Sequence, residues 1–206
     1  MFRIRPLTDL SLPANRVELA EVQAILRDRL PAVPAHEIDD LPARLLDPTA
    51  KGFQTSLFVA DDIRGDLKGF ALVSYAPAER FCLLDFIATG RAATATGGIG
   101  GALYQRIRDH ARAKADTSGC VGLFYECLPD DPAACSNPEH AKPNAARLRF
   151  YERFGARPLL NIGYETPIKP GDKDLPYLVY DDLGAGRPLR PADVKPVVRA
   201  ILERKY

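Results

Sequence analysis

Thr96-Gly97-Gly98-Ile99-Gly100-Gly101-Ala102-Leu103 places four glycines where an apolar run, residues 81–88, gives way to a helical pattern. Ile99, Leu103 and Ile107 recur at i, i+4 and i+8, so the turn feeds a helix of about 15 residues. Glycines at a strand-to-helix turn expose consecutive backbone N–H groups and let an anion approach the positive end of the helix dipole. Two familiar phosphate loops do not fit. No Lys-Ser or Lys-Thr follows, as a P-loop needs, and the dinucleotide fingerprint counted from Gly98 and Gly100 meets Leu103 where its third glycine belongs. Taken alone, the stretch reads either as a general anion turn or as a glycine-rich helix start chosen for close packing.

Upstream of it, residues 81–88 form a nearly continuous apolar run, the pattern of a strand buried on both faces. Residues 56–60 and 67–75 read as a hairpin joined by a turn at 61–66, and residues 2–6 as a first strand. Between them Asn15 is expected to cap a helix to Leu30, with Val17, Leu19, Val22, Ile25 and Leu26 at helical intervals. A shorter helix spans 35–46, fenced by Pro31, Pro34 and Pro48. Downstream, 121–125 is another buried strand, and 128–143 carries four prolines without periodicity. Residues 144–154 are helical, with Asn144 as N-cap and Gly155 as C-cap. Residues 156–160 and 177–180 are the last strands. A hairpin followed by strand–helix–strand units gives an α/β fold: a mixed central sheet with helices on both faces.

Residues 1–183 thus make one domain and 184–206 a helical extension. Val194, Val197, Val198, Ile201 and Leu202 line one stripe of that extension, to be covered by the chain's own body or, alternatively, by a second subunit in a homodimer.

The 206 residues are 46% hydrophobic and 27% charged, with a net charge of +1. That balance gives no basic face for nucleic acid. No apolar run is long enough to span a membrane, and residues 1–6 lack a signal peptide's apolar core, so a cytoplasmic protein is expected. Cys82, Cys120, Cys127 and Cys135 have none of the short paired spacings of a zinc site, so buried structural thiols are expected and no metal.

The glycine turn gains meaning from a second motif, Asn144-Ala145-Ala146-Arg147-Leu148-Arg149-Phe150-Tyr151-Glu152-Arg153-Phe154-Gly155. Gly-x-Gly-Gly-Ala-Leu after one buried strand, then Asn-x6-Tyr-x3-Gly after another, resembles the GNAT N-acetyltransferase superfamily over roughly residues 2–183. The resemblance implies the acyl-CoA N-acyltransferase fold and acetyl-CoA as co-substrate. Backbone groups of Thr96, Gly97, Gly98, Ile99, Gly100 and Gly101 would hold the pyrophosphate, and Asn144 would face the pantetheine. Tyr151 would protonate the departing thiolate, and a backbone N–H near Ala88 would receive the oxyanion. The chain departs from the family pattern at Ala95, where Gln or Arg is usual, and at Gly97, where a basic residue is usual. Arg91 or Arg106 is expected to compensate.

Direct transfer from a thioester to an alkylamine also needs a base, because such an amine is protonated at neutral pH. Glu126, at the end of the 121–125 run, is the first candidate. Asp85, inside the other buried strand, is the second; an isolated carboxylate there would be costly. For both, a structural carboxylate is the competing reading. The loop 128–143, with Asp130, Asp131 and Glu139 against Lys142, is either an acidic lid for a cationic amine or a proline-stiffened insertion. The acceptor expected is a small-molecule or peptide amine. Two other functions compete: a non-catalytic acyl-CoA-binding regulatory domain, and a nucleotide-binding module.

Overall fold

The computed structural model describes residues 1–91, 98–160, 162, 164, 174–186 and 188–205. Thr96 and Gly97, with Ala95, lie outside the described residues. The elements run β1 (Phe2–Leu7), α1 (Pro13–Arg29), α2 (Ala35–Asp39), α3 (Leu41–Leu46), β2 (Gln54–Asp62), β3 (Leu67–Ala76) and β4 (Phe81–Thr89). They continue with α4 (Ile99–Ser118), β5 (Leu123–Cys127), α5 (Ala141–Glu152), β6 (Arg157–Pro158), β7 (Tyr177–Asp181) and α6 (Pro191–Arg204).

Seven strands form one sheet in the order β1-β2-β3-β4-β5-β7-β6. All neighbours are antiparallel except β4 and β5. That parallel pair runs through Cys82↔Leu123 and Leu83↔Phe124 and stops, although both strands continue. The sheet therefore opens into a wedge beyond Leu83 and Phe124. Just past the last rung, the β3–β4 register shifts: Val73 faces Leu84, Leu72 faces Phe86, and Asp85 is the extra residue of a β-bulge. Bulges of this kind re-aim side chains and release backbone groups from the ladder.

Helices cover both faces. On one, α4 and α5 pack Leu103, Tyr104, Ile107, Leu148 and Tyr151 against Val73, Cys82, Leu84, Leu123 and Tyr125. On the other, α1 packs Leu19, Val22 and Leu26 against Leu57, Val59, Phe70 and Leu72. The second half of that face is covered by α6, whose Val197, Ala200 and Ile201 join Phe53, Phe81, Leu83 and Phe124. The inner part of the α6 stripe thus packs on the chain's own body. Among the described residues no helix is long and apolar enough to cross a membrane. All four cysteines are buried and free.

Several expectations are corrected locally. Helix α1 begins at Pro13, whose ring presets the first helical φ, and Asn15 sits inside the first turn, its amide donating to the Asp9 carbonyl (2.7 Å). The single helix expected over 35–46 is two, divided at Asp40, because Pro42 near the start of α3 has no N–H to continue α2. Helix α4 has 20 residues, longer than its apolar spacing suggested. Strand β5 starts at Leu123, since Gly122 sits at φ +154° against Tyr180, where a Cβ would come within 2.5 Å of the ring. The strand expected over 156–160 is the two-residue β6. Helix α5 starts at Ala141, after a 3₁₀ turn at Pro138–His140 whose start is capped by Asn137 accepting from the Glu139 N–H (3.0 Å). Asn144 is therefore no N-cap.

Candidate active site

The open wedge faces a cleft of about 200 Å³ lined by Arg29, Leu30, Ile87, Ala88, Thr89, Gly100, Arg147, Phe150 and Tyr151. Each wall comes from a different element: the last turn of α1, the end of β4, the first turn of α4, and α5. The cleft thus brings together Ala88, Gly100 and Tyr151 from three separate stretches of sequence.

At the α4 wall, Gly98 takes φ +87° as N-cap, a left-handed conformation that favours glycine. Ala102 N–H is the first to close a helical bond, onto Gly98 C=O (2.9 Å), so Ile99, Gly100 and Gly101 precede the hydrogen-bonded helix. The Ile99 side chain is in the core. A Cβ added at Gly98, Gly100 or Gly101 meets no atom of the described residues within 4 Å. Close packing against the described residues is therefore not what these glycines serve. Each glycine inside a helix forfeits ~0.8–1 kcal/mol relative to alanine. Open space at a helix N-terminus is what an approaching phosphate requires.

Arg91 and Arg106, expected to supply positive charge here, are engaged elsewhere. Arg91 pairs with Asp28 of α1 (2.6 Å), and Arg106 lies over the Phe58 ring at 4.9 Å. The cleft's cations are Arg29 and Arg147 instead. Arg147 stands inside the Asn-x6-Tyr motif and could have been found there. Arg29, one turn after Leu26 on α1, carries no local signal.

Tyr151 is 5% exposed, and its ring packs on Tyr104 (centroids 4.9 Å) and Tyr125 (4.5 Å). Those two tyrosines are fixed in turn. Their hydroxyls bond each other (2.9 Å), and the Tyr104 hydroxyl donates to Asp181 (2.7 Å). Asp181 also accepts from Arg108 Nε (2.8 Å), both partners being buried. Breaking such a pair from one side typically costs ~3–5 kcal/mol, so this network is a rigid floor under Tyr151. Burial first, then the Cys127 thiol, push the Tyr151 phenol well above its usual value, while Arg147 pulls the other way. The hydroxyl stays protonated throughout the neutral range.

Asn144 is buried in α5, and its amide donates to the Pro129 carbonyl (2.8 Å). It ties the start of the 128–143 loop to the helix and does not line the cleft. Cys135 Sγ reaches the same carbonyl at 3.3 Å, and Ser136 bonds Asp174. Asp130, Asp131 and Glu139 are exposed.

The two carboxylate candidates stand on the opposite face of the sheet from α4 and α5. Continuing the last β4–β5 rungs sets Asp85 level with Glu126, across the mouth of the wedge. Asp85 is not isolated. Its Oδ2 accepts from Arg44 (2.6 Å) and from Ser74 Oγ (2.6 Å), and Ser74 Oγ lies 3.3 Å from Thr55 Oγ1. Glu126 Oε1 accepts from Tyr164 Oη (2.6 Å), and Oε2 from Lys205 Nζ (2.6 Å). These groups form a polar seam between two apolar clusters on one sheet face. Such a seam forfeits apolar burial at the middle of a sheet.

No family model and no curated protein matches the sequence. Solved structures do match the fold. An acetyltransferase assigned to the GNAT family from Desulfovibrio desulfuricans has a TM-score of 0.60 at 19% identity, over 89% of this chain and all of the other. The catalytic domain of the Tetrahymena GCN5 histone acetyltransferase, solved with coenzyme A, scores 0.57 at 15% identity, over 91% and 96%. Dodecameric spermidine N-acetyltransferase from Vibrio cholerae scores 0.58 at 14% identity, over 88% and 94%. With its seven-stranded mixed sheet, parallel β4–β5 wedge and flanking helices, the chain has the fold of the GNAT N-acetyltransferases.

Proposed function

We propose that the protein is an acetyl-CoA-dependent N-acetyltransferase that passes the acetyl group directly to a primary amine while both substrates are bound. The observation that carries this reading is the wedge. A glycine-lined helix N-terminus and a buried tyrosine on one face of the sheet, with two carboxylates on the other, support it. A domain that only bound acyl-CoA would have no use for the polar seam. A nucleotide-binding module is disfavoured by the two phosphate-loop patterns that fail.

In this reading the N–H groups at the start of α4 hold the coenzyme's pyrophosphate, with Gly98 and Gly100 leaving the approach open and the guanidiniums of Arg29 and Arg147 adding charge. The same role is proposed for the neighbouring Thr96 and Gly97. A backbone N–H released at the bulge, or near Ala88, receives the oxyanion. Asn144 acts by holding the Pro129 carbonyl and so the floor of the pantetheine path.

The acceptor arrives as an ammonium. Glu126 takes one proton from it, and the neutral amine attacks the acetyl carbon. The new C–N bond forms, the C–S bond breaks, and the nitrogen sheds its second proton to solvent. Tyr151 donates toward the departing sulfur and recovers its proton from water. In balance, R–NH₃⁺ and the thioester yield the amide, the free thiol and one H⁺. Asp85, pinned by Arg44 and Ser74, orients the bulge and supplies negative charge. Four free buried thiols suit a reducing compartment and so support a cytoplasmic setting.

The base is tested by Glu126→Gln, which keeps shape and removes the titratable group. The variant is expected to lose the acidic limb of its kcat/KM pH profile while Asp85→Asn retains that limb. A limb that persists in Glu126→Gln and vanishes in Asp85→Asn moves the role to Asp85.

A further inference from the structure

Lys205 is the C-cap of α6, a helix held in place by Val197, Ala200 and Ile201, and its own side chain turns toward the wedge. Its Nζ stands 2.6 Å from Glu126 Oε2, and the two side chains are 16% and 15% exposed. The far oxygen of the same carboxylate carries the Tyr164 hydroxyl. Asp85 and Glu37 also act electrostatically on this ammonium, and their attraction with that of Glu126 keeps it charged against the opposing effect of burial. Arg44 answers Asp85 from α3. An alkylammonium is therefore already seated on the carboxylate proposed as base, at the mouth of the wedge.

A buried ion pair is a poor stabiliser in itself, because desolvation offsets most of the attraction. Val197, Ala200 and Ile201 anchor α6 without it. The pair also blocks the proposed chemistry: a base bound to a resident ammonium cannot take a proton from a second one. Resting on the acetyltransferase reading, we infer that Lys205 is an internal stand-in for the acceptor. The acceptor is accordingly a primary ammonium on an unbranched alkyl chain, and it must displace Lys205 from Glu126 to be acetylated. A carboxylate with one oxygen held by the Tyr164 hydroxyl and the other on the ammonium suits the end of such a chain. A secondary or aromatic amine has fewer N–H donors and more bulk there.

n-Butylammonium is the probe, titrated calorimetrically into the whole chain with its wedge loaded by coenzyme A. Lys205→Met removes the charge and keeps the length of the side chain; Lys205→Ala also removes its bulk. Both are expected to bind the probe at least about tenfold more tightly than wild type. Adding Glu126→Gln to either is expected to abolish the gain. Unchanged or weaker binding in both single variants would overturn the inference, as would a gain that survives Glu126→Gln. The transferase reading fails or stands separately. Tighter butylammonium binding without amide product keeps the ammonium seat and removes the reaction. Amide formation with a KM for butylamine indifferent to Lys205 keeps the reaction and removes the stand-in.

Discussion

Tyr151→Phe should lower kcat by roughly 10²–10⁴-fold, the range of general acid–base effects, with KM for acetyl-CoA little changed. The substitution removes one hydroxyl and leaves the ring on Tyr104 and Tyr125, whose own hydroxyls are tied to Asp181 and to each other. The fold should therefore keep its melting temperature. Because burial holds the phenol protonated, the rate should show no alkaline limb from Tyr151 in the neutral range. Pre-steady-state measurement of thiol release, where chemistry limits the rate, is the test. A wild-type rate in Tyr151→Phe would remove the tyrosine from the mechanism.

Gly100→Val is the second large effect, and it falls on binding. No atom of the described residues lies within 4 Å of a Cβ at Gly100, and the residue is in ordinary helical backbone, so the variant should fold. Gly98 would be a poorer choice, since its φ of +87° would strain any side chain and confuse misfolding with lost binding. The valine instead projects into the cleft and keeps a phosphate from the N–H groups. Acetyl-CoA at 100 times its dissociation constant should stabilise the wild type by ~2.7 kcal/mol and the variant by nearly nothing. An equal thermal shift in both proteins would mean that the coenzyme lies elsewhere.

The order of elements, the mixed sheet and the helices on both faces could be read from hydrophobic period and turn residues, because each buried strand and amphipathic helix advertises its own pattern. Boundaries were harder to place. Asn144 follows a proline and looks like a cap, yet the capping falls to Asn137 before Pro138, a signal equally present in the sequence. Of the candidates read from local motifs, Ala88, Gly100 and Tyr151 line the cleft. What could not be read depends on contacts between distant elements. Arg29 reaches the cleft because α1 ends beside β4, and the Asp85 bulge exists only in the β3–β4 register. Lys205 is 79 residues from Glu126, on a helix whose stripe reads as ordinary packing. Composition likewise hid the polar seam, since Arg44, Ser74, Asp85 and Glu126 come from four elements.

The most direct measurement is the fate of acetyl-CoA mixed with the protein and n-butylamine, followed by thiol titration and by mass spectrometry of the amine. The account predicts that thiol and N-acetylbutylamine appear together in equal amounts, and that neither appears when Tyr151→Phe replaces the wild type on the same timescale. Acetyl-CoA that binds tightly, gives a thermal shift and stays intact with butylamine and every other primary amine offered would contradict it, and would leave a domain that holds the thioester without using it.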